Sequence, residues 1–124
     1  TFTESLNPSV KNNNDILVVD DEEALLNLTK IFLEEMGCNV LTASNAEQAF
    51  SILEREKVDL LLSDVIMPGI DGEKLAVRAS ELYPELKVLL MSGYNEIMTN
   101  RFPLIPKPFT NSSLYESIEK VLDS

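Results

Sequence analysis

The sequence predicts an α/β domain in which a parallel sheet is covered by helices on both faces. Two patterns predict it. Short strands that are apolar at every position alternate with longer segments of helical periodicity. Each strand also stops abruptly at an acid, a hydroxyl or a turn residue. The chain has 124 residues, 44% of them apolar, enough for one domain with its own core.

The pattern begins at Asp15. Residues 1–14, TFTESLNPSVKNNN, lack periodicity and read as a linker or tail, which leaves 15–124 as the domain. Ile16 to Val19 form a buried strand. A helix from Glu22 to Met36 places Ala24, Leu25, Leu28, Ile31, Phe32 and Met36 on its apolar stripe, and Gly37 closes it. Val40-Leu41 is the second strand. Asn45 caps the next helix, with Gln48 three residues on, and that helix runs to about Lys57. Leu60 to Leu62 form the third strand and lead into Ser63-Asp64.

Met67-Pro68-Gly69 breaks the chain, and Asp71-Gly72 reads as an ordinary helix start. That helix stops at Tyr83, before Pro84. Val88 to Met91 form the fourth strand and Leu104-Ile105 a short fifth. Thr110 caps a last helix with Leu114, Ile118, Val121 and Leu122 on its apolar face. Only the eleven residues Gly93 to Pro103 join the fourth and fifth strands. A parallel crossover needs roughly 10–12 residues including its helix, so the helix there is expected to be short, irregular or absent.

Composition removes several function classes. Lys and Arg number 10 and Asp and Glu 21, a net charge of −11, which disfavours nucleic acid and anionic membrane as partners. The chain has no histidine, which excludes a Ser-His-Asp unit, a histidine-ligated metal and a phosphohistidine within it. A single cysteine, Cys38, excludes an internal disulfide and reads as a small buried apolar residue. No apolar run approaches the ~20 residues of a membrane span, and a cytoplasmic location is expected.

In an open parallel sheet, ligands bind beyond the carboxyl ends of the strands. The first strand delivers Asp20-Asp21 there, the third Asp64, the fourth Ser92-Gly93 and the fifth Lys107-Pro108. Three carboxylates in a partly buried cleft need a counter-charge, and an oxygen-seeking divalent ion supplies one. Mg2+ (or Mn2+) suits few protein ligands and several waters. A cation, an ammonium and a hydroxyl form a set that holds a phosphoryl group, and a central carboxylate can serve as nucleophile. Taken singly, each residue has an ordinary role: Asp20 to Glu23 as helix-start acids, Asp64 and Ser92-Gly93 as turn residues, Lys107 as a surface lysine. Their joint placement at four strand ends is what separates them from those roles.

DILVVDDEE, LLSDVIMPGIDG, LLMSGY and PKPF, in this order, resemble the receiver domain of two-component response regulators over residues 15–124. The resemblance implies a flavodoxin-like (βα)5 fold of strand order 2-1-3-4-5, here with a shortened fourth helix. It implies Asp64 as phosphoacceptor, Asp21 as direct Mg2+ ligand and Asp20 as a ligand through water. The backbone carbonyl of Ile66 matches the third protein ligand. Lys107 matches the phosphoryl-binding lysine, followed by a cis proline bond, and Ser92 the switch hydroxyl. The implied partner is a histidine kinase or histidine phosphotransfer domain. DVIMPG, MSGY and IPKPF further resemble receivers fused behind a kinase, which favours a hybrid sensor kinase over a single-domain regulator.

Three departures from the family pattern stand out. The usual aromatic three residues before the lysine is Leu104, which removes a rotameric aromatic switch. The curtailed segment between the fourth and fifth strands counts against the usual receiver dimer face. Ile66 and Tyr94 place apolar side chains beside the site, and slow loss of a phosphoryl group is expected. Two other functions compete: a Mg2+-dependent phosphohydrolase, and a degenerate receiver that only binds protein.

Overall fold

The computed structural model describes residues 14–67, 69, 71–93 and 102–123. Five strands form one parallel sheet: β1 (Asp15–Val19), β2 (Asn39–Ala43), β3 (Leu60–Asp64), β4 (Lys87–Ser92) and β5 (Leu104–Pro106). Their order is β2-β1-β3-β4-β5, the order the sequence resemblance implied. The described helices are α1 (Glu23–Glu35), α2 (Ala46–Arg55), α3 (Gly72–Leu82) and α4 (Asn111–Leu122). The short helix expected between β4 and β5 would occupy residues 94–101, which lie outside the described residues, as do residues 1–13 of the expected linker.

Alternation along the strands divides the core into two layers. Leu17, Val19, Leu61, Val88 and Leu90 face α2 and α3, where they meet Ala49, Leu53, Leu75 and Ala79. Ile16, Val18, Leu60, Leu62, Leu89 and Met91 face the other way and meet Leu26, Leu33, Leu114 and Ile118 of α1 and α4. Because both faces are covered, the central strands are apolar at successive positions rather than alternate ones. Each large side chain so buried contributes roughly 1.5–3 kcal/mol relative to exposure. Met67, Met91 and Phe109 all pack in these layers, as expected.

The helix ends follow local chemistry. Asn45 accepts a hydrogen bond from the Gln48 N–H at 2.8 Å, while the Gln48 side chain reaches back one residue further than a standard capping box, to the Ser44 N–H. Thr110 and Ser113 cap each other reciprocally at the start of α4. At the end of α1, Gly37 adopts φ 91°, a left-handed conformation that glycine enters at little cost. The Cys38 N–H then donates to Leu33 O and the Gly37 N–H to Glu34 O, which closes the helix.

One expectation about α1 is corrected. Its core face is Leu26, Thr29 and Leu33, whereas Leu28 and Ile31 are 43% and 51% exposed. The helix carries apolar residues on more than one face, so periodicity alone does not settle its rotation. Thr29 looks like a surface residue in sequence, but its hydroxyl donates to Leu25 O at 2.9 Å and can therefore be fully buried.

Candidate functional site

β1 ends one residue before Asp20, and β3 ends on Asp64 itself. These strands are direct neighbours, and Val19 pairs with Ser63, so their last residues arrive side by side. One carboxylate oxygen from each of Asp20, Asp21 and Asp64 lies within 4.8 Å of the others. Asp20 and Asp64 are buried and Asp21 is exposed, so the cluster opens to solvent on one side.

The two oxygens of Asp20 have different fates. Oδ1 accepts the Glu22 N–H at 2.9 Å and helps the chain enter α1. Oδ2 is buried and has no hydrogen-bond partner among the described residues. Burial pushes the Asp20 carboxyl above the usual carboxylate range, opposed by the Glu22 N–H and by the Lys107 charge, while Asp21 and Glu22 add to the rise. The ordinary role of Asp20, a helix-entry acceptor, is thus real but uses half of the group. The leftover buried oxygen beside two further acids is what a hard cation would satisfy, so the donor set fits a divalent ion such as Mg2+.

The opposite wall is basic. Lys107 follows β5, and its Nζ lies 3.1 Å from Asp64 Oδ1 with both side chains largely withdrawn from solvent. The Lys107 N–H donates to Ser92 O at 2.7 Å, continuing the pairing of Ser92 with Pro106 across β4 and β5. The Lys107–Pro108 peptide is cis. Ser92 is 2% exposed, and its Oγ rests on Gly93 O at a long 3.4 Å. Ile66, two residues past Asp64, is 54% exposed at the mouth of the site. Tyr94 lies outside the described residues. Leu104 and Phe102 are both half-buried against the α2/α3 layer.

The structure thus brings together Asp20, Asp21, Asp64, Ser92 and Lys107, with Ile66 at the rim. Glu22 and Glu23 stand exposed in the first turn region of α1 and are not part of the cluster. One residue is closer to the centre than the sequence suggests. Gly72, read there as an ordinary helix start, is buried and its N–H donates to Val65 O at 2.6 Å, beside Asp64. A glycine in the first turn of a helix, where Ala would be favoured, was the available signal.

The profile of the response regulator receiver domain matches residues 16–119. The chain belongs to this family. CpdR of Brucella abortus, a response regulator receiver protein, is 32% identical over 114 residues, covering 86% of this chain and 95% of that one. The receiver domain of the hybrid histidine kinase CckA is 36% identical with a TM-score of 0.77, covering 88% of this chain and 99% of that chain. The regulator TrrA of Thermotoga maritima, solved with Mg2+ and BeF, is 30% identical with a TM-score of 0.80, covering 87% and 98%. The chain spans 26% of the length of the Escherichia coli transcriptional regulators it matches. The receiver is a phosphoacceptor in two-component signalling, and receiver domains interact with histidine kinases or phosphotransfer domains. None of the described helices is long and apolar enough to cross a membrane.

Proposed function

We propose that Asp64 is the residue that accepts the phosphoryl group from a partner's phosphohistidine. The observation that carries this is the convergence on Asp64 of an ammonium at 3.1 Å and two further carboxylates, from two other chain segments. An Asp64 carboxylate oxygen attacks phosphorus in line with the phosphohistidine nitrogen. The O–P bond forms as the P–N bond breaks, and the imidazole leaves with the electron pair and takes up a proton. The product is an acyl phosphate on Asp64.

Asp20, Asp21, Asp64 and the backbone carbonyl of Ile66 are the groups that would hold Mg2+ (or Mn2+). Bound there, the ion supplies positive charge against the oxygens of the transferring group. Lys107 orients Asp64 before transfer and binds a phosphoryl oxygen afterwards. Ser92 exchanges its long bond to Gly93 O for a stronger one to the phosphoryl group, and this movement is the switch. Leu104 in place of an aromatic leaves that movement to Ser92 and the backbone.

The partner is a histidine kinase or histidine phosphotransfer domain, and α1 provides its docking strip. Ala24, Leu28 and Ile31 are exposed at i, i+4 and i+7, starting three residues from Asp21. The likeness to the CckA receiver supports placement in a hybrid sensor kinase, with the domain in the cytoplasm; the full-length gene tests that placement.

The phosphohydrolase reading is disfavoured because such enzymes use an acid/base two residues after the nucleophile, where this chain has Ile66. Incubation with acetyl phosphate and Mg2+, followed by intact mass measurement, decides among the readings. A stable adduct of one phosphoryl group, absent in Asp64→Asn, is the expected result. Turnover of varied phosphate esters would favour a hydrolase, and no adduct from any donor a protein-binding module.

A further inference from the structure

We infer that Gly72 is a positioning residue for Asp64, kept without a side chain so that the first turn of α3 can rest on the nucleophile's own backbone. The inference rests on the reading of Asp64 as phosphoacceptor. A Cβ at position 72 would lie 2.8 Å from the Asp64 carbonyl carbon and 2.9 Å from Val65 Cα, and would collide outright with the Asp64 carbonyl oxygen. All three are backbone atoms, so no side-chain rotation relieves the collision.

The surroundings decide which part gives way. The Val65 N–H donates to Met91 O at 2.9 Å, and Asp64 itself pairs with Met91, so the β4 side is anchored. On the α3 side the Gly72 N–H donates to Val65 O at 2.6 Å, and Asp71 caps the helix through the Lys74 N–H at 2.8 Å. The peptide after Asp64 is therefore gripped between a strand and a helix start, with no slack between them. A methyl group inserted there must tip that peptide or lift the helix by on the order of 1 Å. Tipping the peptide swings the Asp64 carboxylate away from Lys107 and from Asp20 and Asp21, and lifting the helix pulls on the same segment through the Gly72 N–H bond to Val65 O. Misplacement by ~1 Å costs a reaction of this kind about 100-fold.

Gly69, in the same loop, supplies the matched control. Its φ of +88° makes any other residue strained, yet among the described residues nothing lies within 4 Å of a Cβ placed there. Gly69→Ala therefore loses stability without pressing on Asp64.

The experiment compares the wild type, Gly72→Ala and Gly69→Ala in three measurements. These are the rate of Asp64 phosphorylation by acetyl phosphate with saturating Mg2+, Mg2+ affinity by calorimetry, and melting temperature by circular dichroism. Gly72→Ala is expected to lose about 100-fold in rate and to bind Mg2+ more weakly. Gly69→Ala keeps both within about twofold of wild type although its melting temperature falls. Rates that follow melting temperature equally in the two variants overturn the inference. If Gly72→Ala is partly unfolded, trimethylamine N-oxide is added to restore the fold. Recovery of the circular dichroism signal without the rate supports positioning. Recovery of both overturns it, and so does a chain that never folds, because the contact then serves only the fold. A wild type that gains no phosphoryl group at Asp64 overturns the underlying reading instead.

Discussion

The two ends of the sheet both carry aspartates, but they use them differently. At the amino end, the Asp15 N–H donates to Asp59 Oδ2 at 2.8 Å, the Asp59 N–H to Asp15 O at 2.8 Å, and the Asn39 side chain to Asp15 Oδ1 at 3.0 Å. Those acids tie β1, β2 and the start of β3 together. A groove of about 500 Å3 also opens there, between the ends of α2 and α3 around Leu82 and Tyr83. At the carboxyl end, Asp20 keeps a buried oxygen that no described donor reaches, and Asp64 faces an ammonium. The acids at the first end tie strands together, whereas at the second the fold leaves one buried oxygen of Asp20 without a described donor beside two further acids. Groove size does not identify the working end; the clustered acids with one buried oxygen of Asp20 left over do.

The largest expected effects test that distinction directly. Asp64→Asn abolishes the phosphoryl adduct measured by intact mass. Asp59→Asn at the other end leaves phosphorylation unchanged and costs about 1 kcal/mol of stability in urea titration. A phosphorylation defect in Asp59→Asn comparable to that of Asp64→Asn would erase the difference between the ends. Next, Lys107→Met slows phosphorylation by acetyl phosphate about 10²–10³-fold, because the charge facing Asp64 is lost. A rate within a few fold of wild type would remove Lys107 from the machinery.

A third test moves from the site to its rim. Ile31→Lys slows transfer from the partner's phosphohistidine about tenfold, equivalent to ~1.4 kcal/mol of docking, and leaves the acetyl phosphate rate unchanged. Equal slowing with both donors would mean that the exposed strip on α1 does not dock the partner.

Asp20→Asn gives a smaller effect of opposite sign. Removing a buried charge that lacks a full partner raises the melting temperature of the metal-free protein by a few degrees, and the further rise on adding Mg2+ is lost. A metal-free variant less stable than wild type would show that Asp20 is already satisfied by the fold. The smallest effect is expected at Cys38. Burial, assisted by the Asp15 charge, pushes its thiol up to about 11, so at pH 8 it stays protonated and inert to iodoacetamide until the protein unfolds. Rapid alkylation of the native protein would contradict that burial.

Much of this was legible in one dimension. The strands could be read because both their faces are buried, and the site because an open parallel sheet delivers strand ends to one rim. Asp20, Asp21, Asp64, Ser92 and Lys107 each lie at or just past a strand end, so their convergence needed only the right fold class. The rotation of α1 was not legible. Leu25, Leu28 and Ile31 compete with Leu26 and Leu33 for the core, and only packing against the sheet selects between them. Thr29 joins the winning face because a bond to Leu25 O hides its hydroxyl. Gly72 does start α3 as the sequence indicates, but its approach to Asp64 was not legible: sequence shows that a side chain is absent, not what would have struck it.

The sequence by itself determined the alternation of elements, the acid excess and the strand ends at which chemistry could occur, because these depend on local pattern and connectivity. Tertiary structure alone decided which acids are matched. Asp59 and Asp20 are the same residue type at opposite ends of neighbouring strands. One carboxylate meets a backbone N–H from the adjacent strand, and the other, after accepting the Glu22 N–H, keeps a buried oxygen without a described donor in a cluster with Asp21 and Asp64. That difference depends on distances of a few ångströms between residues far apart in the chain, which no local pattern encodes.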